Sequence, residues 1–220
     1  MWTHSRHNQL WSAILPTLTH DDLAHDWLHV QRVTEWCIKI ARSIDADEDL
    51  SGAAGLLHDL INIPKESDLR SMGSTLSAQA GVQYLKEAGY STEEIDTVTK
   101  AIATCSWSRG LAPTNIIGKV LQDADRLDAI GAIGVMRNIA CAQAMRSRKK
   151  TGLFYHPENP VPWETTSDVL NDKEHALDHF FCKLLKLKAG MHTAIAKKEA
   201  DKRHAWMKHF LEEVDREIQS

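Results

Sequence analysis

Apolar residues recur at intervals of three and four along almost the whole chain, and that spacing restricts the fold more than any other feature. In residues 25–44 they fall at Val30, Val33, Cys37, Ile40, Ala41 and Ile44. One such stripe belongs to a helix with one buried side. No run shows the period-two alternation of a half-buried strand. The spacing predicts an all-α fold.

Punctuation divides the pattern. Residues 47–60 read as a buried helix ending near His58, and Gly52-Ala53-Ala54-Gly55 permits close packing against a neighbour. Residues 62–74, with Pro64 and Gly73, read as a loop. Residues 74–88 form a helix stopped at Gly89. Ser91 and Glu94 make a capping-box pair for a helix running to about Cys105. Residues 106–114 read as a loop, and residues 115–130 and 132–146 as two helices meeting near Gly131 and Gly134. Residues 147–172, with Pro157, Pro160 and Pro162, form an irregular excursion that could act as a lid. Helices over 173–187 and 191–218 close the chain. No repeat or linker interrupts it, so residues 1–220 are expected to form one domain.

Composition bounds the function. Of 220 residues, 43% are apolar and 25% charged, with a formal net charge of −4. That balance describes a soluble globular chain with no long-range field to attract nucleic acid. No apolar run approaches a membrane span. Cys37, Cys105, Cys141 and Cys182 form no Cys-x-x-Cys pair. A polar N-terminus unlike a signal peptide, with such cysteines, predicts a reduced, cytoplasmic setting.

Three polar constellations interrupt the apolar pattern. In Leu56-Leu57-His58-Asp59-Leu60, a His and an Asp lie inside an apolar run. An unpartnered buried carboxylate is costly, so Asp59 needs a partner. His25 and His29, four apart, share a helix side, with His29 beside the apolar seam. Asp123 and Asp125 are two apart, about 200° around a helix, so only one can face the centre. Asp125 aligns with Leu121 and Asp128, and is therefore chosen over Asp123. His29, His58, Asp59 and Asp125 then make a mixed imidazole and carboxylate set for one divalent ion, suiting Mn²⁺, Fe²⁺, Co²⁺ or Mg²⁺ in octahedral geometry and Zn²⁺ less well; Mn²⁺ is the favoured choice, with Ni²⁺ a further option. His25, Asp123 and Asp128 read as supporting or surface charges. A buried His–Asp pair with no metal is the structural alternative.

The sequence His25-Asp26-Trp27-Leu28-His29-Val30-Gln31-Arg32-Val33 resembles the first motif of the HD-domain phosphohydrolase superfamily. Leu57-His58-Asp59 resembles the second. Gln122-Asp123-Ala124-Asp125-Arg126-Leu127-Asp128-Ala129-Ile130-Gly131-Ala132-Ile133-Gly134 resembles the third, in the form of a bacterial subgroup containing the YedJ-like and YpgQ-like proteins. Ala176-Leu177-Asp178-His179-Phe180 with Lys183-Leu184-Leu185-Lys186-Leu187 extends the likeness over residues 20–215. It implies a helical bundle holding a metal within its core at His29, His58, Asp59 and Asp125. It also implies a phosphohydrolase, and for the YpgQ-like members cleavage of (deoxy)nucleoside triphosphates to monophosphate and pyrophosphate. Cys105 stands where relatives often have His before Ser106, which favours one metal over two.

Such chemistry needs a water on the ion and positive charge over the phosphoryl oxygens. Asp59 could ligate and orient the water. Lys65 and Arg70, in the loop after His58 and Asp59, are the catalytic cations expected, although each alone would read as a solvated charge. Ser74, at the start of the next helix, would join backbone N–H groups on phosphate. Arg32, His179 and Lys183 complete the expected substrate contacts. The partner is a small-molecule phosphate, a nucleotide by the resemblance, and no nucleic-acid polymer or membrane. The protein would be a monomer or homodimer. The alternatives are a phosphomonoesterase or phosphodiesterase on the same site, or a non-catalytic metal- and nucleotide-binding sensor.

Overall fold

The computed structural model describes residues 2–18, 23–63, 67–149, 152–165 and 169–220, with the backbone alone at 146–149. Helices account for the regular structure: α1 (Ser5–Ile14), α2 (Trp27–Ser43), α3 (Glu48–Leu57), α4 (Gly73–Glu87), α5 (Thr92–Ala103), α6 (Ile116–Asp128), α7 (Gly131–Lys149), α8 (Asp178–Cys182) and α9 (Ala194–Gln219). Among the described residues there is no strand, only the isolated bridges Leu153 to His175 and His156 to Asn159. None of the described helices is long and apolar enough to cross a membrane.

The chain divides into two compact units. The first comprises Met1–Asp21, His25–Asp125 and His192–Ala196, and the second Asp22–Ala24, Arg126–Met191 and Lys197–Ser220. In the first, α2 and α3 form the most extensive helix pair. A Cβ on Gly55 would lie 2.9 Å from the Thr34 Cα and 3.2 Å from the Cys37 Sγ. Only glycine allows these backbones so close, and the contact lies one turn before His58. The apolar stripe of α2 is buried as its spacing requires, with Val30, Val33, Cys37, Ile40 and Ala41 at or near zero exposure.

α1, which the sequence reading did not mark as a helix, is clasped by charge. The Arg6 Nε donates to the Asp49 Oδ2 at 2.7 Å, and its Nη1 and Nη2 donate to Glu94 at 3.1 and 2.9 Å. The Tyr90 hydroxyl donates to the Asp49 Oδ1 at 2.8 Å. His7 is buried and its Nε2 donates to the Asp49 carbonyl at 2.8 Å. Glu94 also completes the expected capping box with Ser91.

This clasp makes stability fall in acid. The Arg6 guanidinium, with the Ser91 backbone, holds the Glu94 carboxyl down at about 2. Burial opposes ionisation of Asp49, but hydrogen bonds from His7, Tyr90 and Arg6 outweigh it and keep that carboxyl below the usual range. Depressed carboxylates contribute stability above their unfolded values near 4, and lose it as pH falls through the folded values. Urea midpoints are therefore expected to drop between about pH 4 and pH 2. In Arg6→Ala, stability should be lower at pH 7 and the slope across that window shallower. An unchanged slope would refute the assignment.

The second unit corrects two expectations. No helix spans 173–187. The Leu153 N–H donates to the Glu174 carbonyl at 2.9 Å, and the Ala176 and Leu177 N–H groups donate to Leu153 and Phe154 at 3.2 and 2.9 Å. These long-range bonds capture the backbone that a helix would use, so α8 begins only at Asp178. His175 thus lies before α8 and His179 within it. Also, α7 continues to Lys149, past the expected end at 146.

Candidate metal centre

Asp26 caps α2 by accepting the His29 N–H at 2.9 Å, which fixes the turn carrying that imidazole. His58 is the residue that ends α3. Its Nδ1 lies 2.8 Å from the Gly55 carbonyl. A carbonyl only accepts, so Nδ1 carries the proton and a neutral His58 presents an Nε2 lone pair. Both rings are buried.

Three helical segments bring four side chains to one point in the first unit. The His29 and His58 Nε2 atoms are 3.2 Å apart. The Asp59 Oδ2 lies 3.4 Å from the His29 Nε2 and 3.6 Å from the His58 Nε2. The Asp125 Oδ1 lies 3.8 and 3.9 Å from the same two atoms. His29, His58 and Asp125 form the one group among the described residues that meets the spacing for a shared metal, with ligand atoms within 4.8 Å of one another. Donors about 2.1 Å from one ion stand about 3.0 Å apart at right angles and about 3.4 Å apart at the tetrahedral angle. The His29, His58 and Asp125 donors, somewhat wider apart than this around Asp125, fit a divalent cation, and the Asp59 carboxylate lies against both imidazoles beside them.

The electrostatics are consistent with that fit. Burial pushes the Asp59 carboxyl up, but His58, His29 and His25 together hold it well below the usual carboxylate range. The carboxylates remain partly open, with side-chain exposures of 27% for Asp59 and 29% for Asp125. The His25 ring stands edge-on to His29, centroids 5.9 Å apart. The Cys105 thiol is pushed well up by burial and by the charges of Asp125 and Asp59, with Arg109 opposing.

Asp125, and not its neighbour, lies in the cluster. Asp123 is fully buried and serves elsewhere. It accepts the His192 N–H at 2.8 Å, the Thr193 N–H at 2.8 Å and the Thr193 hydroxyl at 2.7 Å, where α9 begins. Asp128 is buried and pairs with Arg137 at 3.1 Å in the second unit.

The expected substrate contacts are distributed as follows. Arg32 lies on α2, one turn beyond His29. Arg70 directs its Nη1 to the Asn62 side chain and the Ile63 carbonyl, bracing the segment after Asp59. Ser74 is buried at the start of α4 and donates to the Ala103 carbonyl at 3.3 Å. His179 and Lys183 belong to the second unit, where the His179 Nδ1 pairs with Asp172 at 2.7 Å. Lys65 lies outside the described residues. Motif spacing did not point to Gln122, which is buried. Its Nε2 donates to the Thr104 and Leu111 carbonyls at 2.8 and 3.1 Å, and its Oε1 faces the His192 Nε2 at 2.9 Å. Arg109 was also missed. The sequence signal was a polar side chain opening the third motif for Gln122 and a lone loop cation for Arg109, both common.

A helical fold with this donor cluster defines a candidate metal-binding protein, and the comparisons supply the family. The HD domain family model matches residues 27–130. The chain is 35% identical over 214 residues to the uncharacterised protein YpgQ of Bacillus subtilis (strain 168), covering 96% of this chain and 92% of that one. A crystal structure of YpgQ in complex with ADP superposes with a TM-score of 0.72 at 32% identity, covering 96% and 97% of the two chains. An HD-superfamily hydrolase from Bacillus thuringiensis gives 0.65 at 31% identity, covering 96% and 99%. A Lactobacillus plantarum protein gives 0.75 at 28% identity, covering 100% and 99%. This chain belongs to the HD-domain family.

Proposed function

We propose that the protein is a metal-dependent nucleotide pyrophosphohydrolase, cleaving (deoxy)nucleoside triphosphates to monophosphate and pyrophosphate. The observation that carries this reading is the convergence of the His29, His58, Asp59 and Asp125 donor atoms at 3.2–3.9 Å across the imidazole–imidazole and imidazole–carboxylate pairs. The nucleotide follows from kinship: YpgQ was solved with ADP.

In this reading His29 and His58 present Nε2 and Asp59 and Asp125 a carboxylate oxygen to one divalent ion, Mn²⁺ by preference. When bound, that ion supplies a water of lowered pKa and polarises a phosphoryl oxygen. Asp59, beside both imidazoles and partly exposed, orients the attacking water. Arg32 and Ser74 meet phosphoryl oxygens, and Arg70 keeps the segment after Asp59 in place.

A panel of nucleotides with Mn²⁺, read separately for phosphate and pyrophosphate, tests this. The expected result is pyrophosphate with monophosphate from a triphosphate, abolished by a chelator and restored by added metal. Phosphate released directly from a monophosphate would mean a monoesterase, and tight nucleotide binding without turnover would mean a sensor. Chelator-insensitive hydrolysis would overturn the metal assignment.

A further inference from the structure

On the phosphohydrolase reading above, we propose that Arg109 is the cation that grips the phosphate chain of the substrate beside the donor cluster. Arg109 ends a short 3₁₀ turn, Trp107–Arg109, and Gly110 follows with φ 61°. Both ends of this stretch are held by one side chain, because the Gln122 amide donates to the carbonyls of Thr104 and Leu111. Gln122 precedes Asp125 by three residues on α6, and positions three apart share a helix side. The Arg109 loop is thus fastened to the side of α6 that carries Asp125.

The guanidinium itself is tied to the other carboxylate's neighbourhood. The Arg109 Nη1 donates to the Ser74 Oγ at 3.2 Å, the Thr75 Oγ1 at 2.9 Å and the Ala103 carbonyl at 3.1 Å. Ser74 and Thr75 open α4, and α4 is joined to the backbone just beyond Asp59, where the Ile61 N–H donates to the Ser77 Oγ at 3.0 Å. Arg109 is therefore bracketed by segments linked to Asp59 and to Asp125.

Among the described residues no anion meets this guanidinium. All three acceptors are neutral and all three are served by Nη1. Among the described residues Arg109 pairs with no carboxylate, and its Nε and Nη2 make no hydrogen bond. The α4 N-terminus behind it has no side-chain cap from Met72 and carries the positive end of a helix dipole. A half-buried cation held against a positive helix end is unfavourable unless a negative ligand joins them. A phosphate chain does so, and the guanidinium fork suits its oxygens.

Calorimetric titration of pyrophosphate, ADP and adenosine into the Mn²⁺-loaded protein tests the proposal. Arg109→Gln retains a side-chain NH₂ to brace Ser74 and Thr75 but removes the charge. It is expected to weaken pyrophosphate and ADP at least about tenfold, about 1.4 kcal/mol, while metal content stays equal and the preference for ADP over adenosine shrinks. Arg109→Lys should lie between. A merely bracing arginine would leave that preference unchanged. If Arg109→Gln does not fold, Arg109→Met is read the same way. Pyrophosphate affinity equal to that of the parent protein, or no pyrophosphate or ADP binding by the parent protein, overturns the proposal. Binding lost in the variant, with no turnover of any nucleotide by the parent protein, would leave the Arg109 assignment standing and remove the hydrolase reading.

Discussion

Asp125→Ala is expected to lose its divalent ion and to lower phosphate hydrolysis by on the order of a thousandfold, about 4 kcal/mol of transition-state stabilisation, while remaining fully helical. The Asp125 carboxylate stands 3.8 and 3.9 Å from two imidazole nitrogens and brings the carboxylate of α6 to the cluster. Its removal takes a carboxylate from the side of α6 and leaves the cluster of His29, His58 and Asp59 with one fewer negative charge. Folding should change little, because the side chain is 29% exposed. Asp125→Asn would keep the shape and lose the charge, and should fall close to the alanine variant in metal content. Metal analysis of the purified protein, circular dichroism and the nucleotide panel together check this. Full metal occupancy with full activity would sink the site assignment.

Asp123→Ala, two residues away, is expected to do the opposite: to destabilise the fold by about 3–5 kcal/mol while the folded fraction still binds metal. Asp123 is fully buried and accepts three hydrogen bonds from His192 and Thr193. Alanine would strand two backbone N–H groups and a hydroxyl away from water, and each stranded group costs about 1–3 kcal/mol. The start of α9 would come loose from α6, together with the His192 contact to Gln122. Asp123→Asn keeps one acceptor and turns an amide NH₂ toward a donor, so it should recover only part of the loss. Urea denaturation measures both variants. A change below about 1 kcal/mol would show that the carboxylate does not hold this junction.

The contrast shows how far a sequence reaches at such a site. Both aspartates are plausible ligands by residue type, and a helix-side argument with Leu121 and Asp128 separates them. The same argument could not say what Asp123 does, because its partners lie 69 and 70 residues away. Arg109 and the role of Gln122 were hidden for the same reason: what singles them out is a set of contacts to backbone carbonyls and to α4, not a spacing. The expected helix over 173–187 failed where residues 153–154 take the backbone bonds of 174–177.

The sequence by itself determined the helical architecture, most helix limits, the capping box at Ser91 and Glu94, and the close packing at Gly55. These are local properties, written in the spacing of apolar residues and in caps a few positions away. It also singled out the residues His29, His58, Asp59 and Asp125 before any coordinates. Only the tertiary structure decided that their donor atoms meet within hydrogen-bonding to ion-pair distances, and that Asp123 is bound to the fold. It also showed that the Arg109 guanidinium is held by Ser74, Thr75 and the Ala103 carbonyl. Distances between groups on separate helices depend on how the chain packs, and no periodicity along one helix encodes them.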